Sequence, residues 1–216
     1  QALITVFNKA GLPEFARELV ERHGIEILST GGTAKLLQNE GIPCTEVSEF
    51  TGSPEMMDGR VKIIHPKVFG GILYVRDNEE HFWDARTNKI VPIDMVVVDL
   101  YPFEEKSTSG APHEEIVENI DIGGPSALRA GAKNYRSVTV ISYPEDYEIV
   151  LRGMEENESA TTLEIREYLA SRVFLRMAIY EMSICVYFAK RRGLEIAQKT
   201  LGGFLRVLKG FIKSIA

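Results

Sequence analysis

Four short stretches of the chain hold the residue types that grip anions or move protons. Ile27-Leu28-Ser29-Thr30-Gly31-Gly32-Thr33-Ala34 runs from an apolar stretch through hydroxyls and glycines into a helical pattern. Glycines let backbone approach an anion, hydroxyls add donors, and a helix start supplies free N–H groups and the positive end of a dipole. This is a phosphate cradle in its chemistry, although a tight turn with Thr33 as an ordinary helix cap reads the same residues. It is not a Walker A loop, because no Gly-Lys-Ser/Thr follows. Lys9 follows the first apolar stretch and would converge with Thr30 and Thr33 if both stretches end at one sheet edge; otherwise it is a solvated lysine.

Gly52–Lys67 is dense in Gly, Pro and cations and reads as a loop, where binding groups usually sit. Arg60 can hold a phosphate or carboxylate with two hydrogen bonds, and Lys62 can act as a point charge or donate to a developing oxyanion. His65 before Pro66 is either a general base or a structural turn histidine. Further on, Asp99-Leu100-Tyr101-Pro102-Phe103 ends the most apolar run, and Asn119-Ile120-Asp121-Ile122-Gly123-Gly124-Pro125-Ser126 leads toward Ala132-Lys133-Asn134. Gly123-Gly124 is a second anion-tolerant helix start, and one short helix would present Asp121 and Lys133 at its two ends. The alternative makes Asp121 a cap and Lys133 a dipole partner.

Positioning these groups requires a scaffold, and two kinds of segment alternate along the chain. Short β-branched runs at Leu3–Phe7, Glu26–Leu28, Cys44–Val47, Met95–Asp99 and Val138–Ile141 read as strands. Met95-Val96-Val97-Val98 lacks polar alternation, as expected of a strand buried on both faces. Between them, Leu12, Phe15, Ala16 and Leu19, then Ala34 with Leu36-Leu37, then Ile116-Val117 with Ile120, carry helical spacing. Strand and helix in alternation predict an α/β fold with a mostly parallel central sheet flanked by helices. Asp77–Pro92 reads as a surface helix and loop, and Glu104–Pro112 as a linker. Thr161-Thr162 with Glu164 opens a helical pattern from Leu163 to about Arg192, either one bent helix or two. Gly202-Gly203 is expected to break the chain before an amphipathic helix of residues 204–215, whose other side carries Arg206, Lys209 and Lys213.

The composition excludes several classes. With 216 residues, 44% hydrophobic and 26% charged, the chain can bury a real core and is neither disordered nor collagenous. Only Cys44 and Cys185 are present, so there is no disulfide framework or structural zinc set, which suits a cytoplasmic protein. The net charge of −6 is uneven, since residues 190–216 carry +6 and the remainder −12. An acidic body argues against nucleic acid as a partner and requires any bound anion to meet a local basic site. The first residues show no signal peptide, and no transmembrane segment is expected.

In their order along the chain, Phe7-Asn8-Lys9-Ala10-Gly11, Ser29–Ala34, Phe50-Thr51-Gly52 with Pro54–Lys62 and His65-Pro66, Leu100-Tyr101-Pro102-Phe103, Glu118–Gly124 and Ala132-Lys133-Asn134 resemble the IMP cyclohydrolase domain, half of a bifunctional purine enzyme that also carries AICAR transformylase. The likeness covers about residues 2–190. It implies a methylglyoxal-synthase-like fold with C-terminal helices, a domain over 1–192, and an unmatched amphipathic tail over 193–216. The implied activity is closure of 5-formamidoimidazole-4-carboxamide ribonucleotide to IMP with loss of water, with no metal and no organic cofactor. The phosphate would sit at Thr5, Lys9, Thr30, Gly32 and Thr33, beside Gly31 and near Arg60. The reacting groups would face Lys62, Tyr101, Asp121 and Lys133, with Asp121 paired to Lys133, and Gly123, Gly124 and Asn134 belong to the substrate-binding set. The implied partners are a purine ribonucleotide and a second copy in a homodimer or larger assembly.

Several residues depart from that pattern. Phe7 and Asn8 replace Ser and Asp, Ile63 replaces a Thr beside the lysine of the loop, Asp99 replaces Asn, and Tyr135 replaces His. Phe7 and Ile63 predict a weakened activity. Arg176-Met177-Ala178-Ile179-Tyr180-Glu181 replaces His-Thr-Ala-x-Tyr-Asp and adds apolar surface, either core or a changed subunit interface. The tail reads as a packed terminal helix or as a helix docking a partner. Two other functions fit the same residues: a nucleotide-binding regulatory module with no turnover, and a self-assembling scaffold derived from the domain.

Overall fold

A computed structural model describes residues 1–193, 198–199 and 201–206. The chain divides into two compact units, Gln1–Tyr101 with Asp121–Arg176, and Pro102–Ile120 with Met177–Ala216.

The first unit is built on five parallel strands, β1 (Ala2–Thr5), β2 (Ile27–Ser29), β3 (Thr45–Glu46), β4 (Met95–Val98) and β5 (Thr139–Ile141), in the order β3-β2-β1-β4-β5. All five fall within or beside the apolar runs read as strands. β4 is buried along its whole length, with β1 and β5 paired on either side and the helix over Gly123–Lys133 packed on it. Each buried valine there contributes roughly 1.5–3 kcal/mol. Strand order reverses between β1 and β4, and in an open α/β sheet the crevice beyond that reversal is where a ligand sits.

The helices of this unit follow from their apolar spacing. α1 (Leu12–Glu21) buries Leu12, Phe15, Ala16 and Leu19, and Phe15 stacks on Tyr147 of α9 (Tyr147–Glu156) with ring centroids 4.2 Å apart. α2 (Gly31–Asn39) follows β2 directly, and α3 (Val47–Thr51) follows β3. α4 (Pro66–Leu73) and α5 (Glu79–Thr87) precede β4, α5 being the helix expected within 77–92. The next helix of this unit, over Gly123–Lys133, lies on β4 and β5. Gly131 permits that approach: a Cβ there would stand 3.2 Å from Val140 and 3.5 Å from Val96. A 3₁₀ turn at Pro144–Asp146 leads into α9.

In the second unit, α6 (Phe103–Thr108) and α7 (His113–Glu118) stand beside the later part of the long helix. Glu104–Pro112 is therefore not a plain linker. Phe103 is fully buried, its ring edge-on to Tyr180 and Tyr187, and this anchor makes the following residues coil into a helical turn. His113 Nδ1 lies 2.8 Å from the Tyr187 hydroxyl. Taking the Gly123–Lys133 helix as α8, the long helix is α10 (Leu163–Arg192), a single element of 30 residues with the predicted boundaries. Its start is capped by the Thr162 hydroxyl, which accepts from Ile165 N–H at 3.2 Å.

Residues 201–206 are helical through Gly202 and Gly203, so the expected Gly-Gly break is not present; glycine only weakens a helix and does not end one. Most of the expected amphipathic tail, and the residues on which a boundary at 193 would turn, lie outside the described residues. Among the described residues, no helix is long and apolar enough to cross a membrane.

Candidate functional site

The chemistry gathers where β1, β2 and β4 end. Thr5 closes β1 with its hydroxyl 3.3 Å from that of Thr30, the residue before α2. Thr33, in the first turn of α2, is buried, and its hydroxyl donates to the Val6 carbonyl at 3.1 Å while lying 3.2 Å from Val6 N–H. Lys9 Nζ donates to Thr33 Oγ1 at 2.9 Å and to the Val6 carbonyl. The loop after β1 is thereby tied to the glycine turn after β2. Gly31 takes φ +50°, and a Cβ on Gly31 or Gly32 would meet nothing within 4 Å, so the turn's backbone is open to an incoming group. Thr5, Lys9, Thr30, Gly31, Gly32 and Thr33 form one cradle.

Lys9 is half-buried, and that burial lowers its pKa; Asp99 opposes the shift, and Lys62 adds to it. Lys62 thus acts on the cradle, and it acts on Asp121 as well. Its loop is shaped by three consecutive residues at positive φ, Met57, Asp58 and Gly59, and by an antiparallel bridge between Met56 and Val61. Arg60 is exposed on the same loop. Ile63, next to Lys62, is fully buried, and a Cβ on Gly123 would stand 3.0 Å from it. Ile63 therefore packs the loop that carries Lys62 against the start of α8.

Asp121 lies just before α8 and accepts the Gly124 N–H at 2.9 Å, with a further backbone bond from Gly123. Burial pushes its carboxyl above the ordinary carboxylate value, against the opposing pull of Gly124, of Lys62 and of Gly123. The second anion-tolerant helix start thus meets a carboxyl group of the protein's own, which the backbone N–H groups of Gly123 and Gly124 orient. The expected pairing of Asp121 with Lys133 does not form. The eleven residues of α8 set them about 16 Å apart along the helix axis, beyond the combined reach of the two side chains, and Lys133 is exposed.

Two other side chains have structural partners. Asn134 is buried, and its amide donates to the carbonyls of Ile72 at 2.7 Å and Tyr74 at 3.0 Å, so it joins α8 to the end of α4. His65 caps α4 by accepting the Lys67 N–H on Nδ1 at 3.1 Å, the structural alternative to a general base.

Tyr101, beyond β4, is exposed with its ring 5.3 Å from that of Phe7. Asp99 and Arg176 emerge as members of the site that residue spacing did not single out. The Asp99 carboxylate accepts the Asn8 N–H at 2.7 Å and pairs with the Arg176 guanidinium. Arg176 also donates to the Ser142 carbonyl and lies 4.3 Å over the Tyr143 ring. An acidic residue ending a wholly apolar strand was the available signal, because a carboxylate in that position needs a partner.

Comparison with known proteins follows this geometry. Residues 11–126 match the MGS-like domain family, and residues 131–207 match the AICARFT/IMPCHase bienzyme family. The chain is 54% identical over 195 residues to the bifunctional purine biosynthesis protein PurH of Rhodospirillum rubrum, a match covering 90% of the chain and 37% of that protein. It is 50% identical over 202 residues to the protein of the same name from Chlorobaculum parvum, covering 93% of the chain and 38% of that protein. The chain spans little more than a third of the length of these relatives. Among solved structures, the crystal structure of ForH matches with a TM-score of 0.79 at 31% identity, over 87% of this chain and 95% of that one.

Proposed function

The chain belongs to the family of MGS-like domains, and from that membership we propose that it is an IMP cyclohydrolase, closing 5-formamidoimidazole-4-carboxamide ribonucleotide to IMP with loss of water. The observation that carries this reading is the placement of Asp121. A half-buried carboxylate with a raised pKa, held by backbone donors and within electrostatic reach of Lys62, stands on the same sheet edge as the Lys9–Thr33 cradle. Its relatives' names, which include purine biosynthesis, support the substrate class.

In this reading the cradle binds the phosphate, with Arg60 adding charge, and fixes the ring so that the carboxamide nitrogen lies against the formyl carbon. Holding both groups in one geometry supplies much of the acceleration. As the N–C bond forms, Asp121 accepts one carboxamide proton, and a base with a raised pKa is suited to that task near neutral pH. Lys62 and Tyr101 donate to the formyl oxygen as it gains charge. That oxygen becomes a hydroxyl, then leaves as water when the formamido nitrogen gives up its proton. Lys133, exposed at the far end of α8, has no step in this chemistry.

Turnover of synthetic formylated ribonucleotide, followed by the absorbance change on ring closure, tests the proposal. Lys62→Ala and Asp121→Ala are each expected to lower kcat far more than they weaken nucleotide binding, and equal loss of both overturns the role assignment. A chain that binds IMP and converts nothing is the regulatory module instead. A cytoplasmic homodimer accompanies the proposal; Tyr168 and Leu175, exposed seven residues apart on α10, support self-association.

A further inference from the structure

Phe7 is the least expected residue of the site. It directly follows buried Val6 yet is 51% exposed, and Tyr101, following buried Leu100, is 44% exposed. Their rings meet at 5.3 Å between centroids with planes tilted by 54°. Large aromatic side chains normally bury most of their surface, so two neighbouring exposed rings at the edge where a ligand would sit require an explanation.

Loop mobility does not supply it, because the backbone around Phe7 is tied on both sides. Val6 is fastened through both its N–H and its carbonyl to Thr33. Asn8 N–H is held by the Asp99 carboxylate, itself held by Arg176, and Asn8 Oδ1 accepts the Ala10 N–H. The fold therefore holds this ring in solvent instead of leaving it free to fold inward. Phe7 stands between the two ends of the cradle's fastening, and Tyr101 follows Leu100, whose side chain would touch a Cβ on Gly124 beside Asp121. The aromatic pair thus directly follows, in one strand end, a residue fastened to Thr33 and, in the other, a residue packed beside the Asp121 turn.

We propose that Phe7, with Tyr101 beside it, is a stacking face for the planar heteroaromatic ring of the bound ribonucleotide, which makes Phe7 a specificity-determining residue that selects nucleotides over sugar phosphates. Every planar base presents a π-face, and stacking on an aromatic side chain is sequence-tolerant but lost on an aliphatic sugar. The inference rests on the cyclohydrolase reading for the identity of its ligand. It also changes the meaning of the substitution at position 7: the ring adds contact surface and does not weaken the site.

Calorimetric titration of the full chain with IMP and, separately, with ribose 5-phosphate tests it, using wild type, Phe7→Ser and Phe7→Trp. Phe7→Ser is expected to weaken IMP binding roughly ten- to a hundredfold while ribose 5-phosphate binding stays unchanged, and Phe7→Trp to keep IMP affinity. Because the side chain is exposed, the variants are expected to fold, and circular dichroism checks this. Unchanged IMP affinity in Phe7→Ser, equal weakening of both ligands, or a wild-type chain that holds IMP no tighter than ribose 5-phosphate would overturn the proposal. Turnover is measured on wild type separately: IMP binding with the expected Phe7 dependence but no ring closure defeats the cyclohydrolase reading and sustains the stacking face.

Discussion

Gly124→Ala separates the carboxylate's chemical role from its role as a helix cap. A Cβ on Gly124 would stand 2.4 Å from Asp121 Oδ2, 3.1 Å from its Cγ and 3.2 Å from Leu100 Cδ2. An uncharged carbon and an oxygen settle at about 3.3 Å or more, so the carboxylate must withdraw by about 1 Å. That displacement stretches the 2.9 Å bond from Gly124 N–H. A lost bond to a charged acceptor costs about 1.5–3 kcal/mol, and alanine in place of helical glycine returns up to about 1 kcal/mol. The net loss is about 0.5–3 kcal/mol, or a fall in Tm of roughly 1–12 °C for a chain of this size. A 1 Å misplacement of a reacting group, by contrast, costs about a hundredfold in kcat. Steady-state kinetics and a thermal melt on the same preparation measure both quantities. A variant with wild-type kcat and a lowered Tm would mean that Asp121 only caps α8, and would refute the reasoning that makes it the base.

Other outcomes follow from the same contacts. Because burial raises the Asp121 pKa, its contribution to stability is fully present below the unfolded value and is lost as pH rises through the folded one. Asp121→Asn is therefore expected to melt no lower than wild type near pH 8, with its relative advantage shrinking as pH falls toward ordinary carboxylate values; a constant deficit at every pH would contradict this. Lys62 lowers the Asp121 pKa, so in Lys62→Gln the acidic limb of residual kcat/KM moves to higher pH, and an unmoved limb would show that the two groups do not interact. Thr33→Val leaves Val6 N–H and the Lys9 ammonium without the hydroxyl that meets them, and should lose about 1–3 kcal/mol in denaturant unfolding and raise KM for the ribonucleotide, while Thr33→Ser retains most of both. Equal behaviour of the two variants would remove Thr33 from the cradle.

Much of the scaffold was legible along the chain. The apolar run at Met95–Val98 announces a strand buried on both faces, and the spacing from Leu163 to Arg192 announces helix, because burial requires these periodicities wherever the segments end up; that it is one helix and not two is settled by the structure. The glycine turn at 31–32, the loop cations and Asp121 could likewise be picked out by residue type. What spacing could not decide is which end of which element each group occupies in space. Lys133 and Asp121 look like partners because one short helix joins them, yet the rise of α8 carries them apart. Asn134 reads as part of a binding motif, yet the carbonyls it serves belong to residues 72 and 74, far away in sequence. The chain by itself determined the fold class and the inventory of reactive groups, since both depend on local pattern and composition. Only tertiary structure decided that Lys9 would meet Thr33, that Arg176 would hold Asp99, and that Asp121 would be withdrawn from water far enough to raise its pKa. Those outcomes depend on hydrogen bonds and on the exclusion of water, and both arise only when segments distant in the chain are packed against each other.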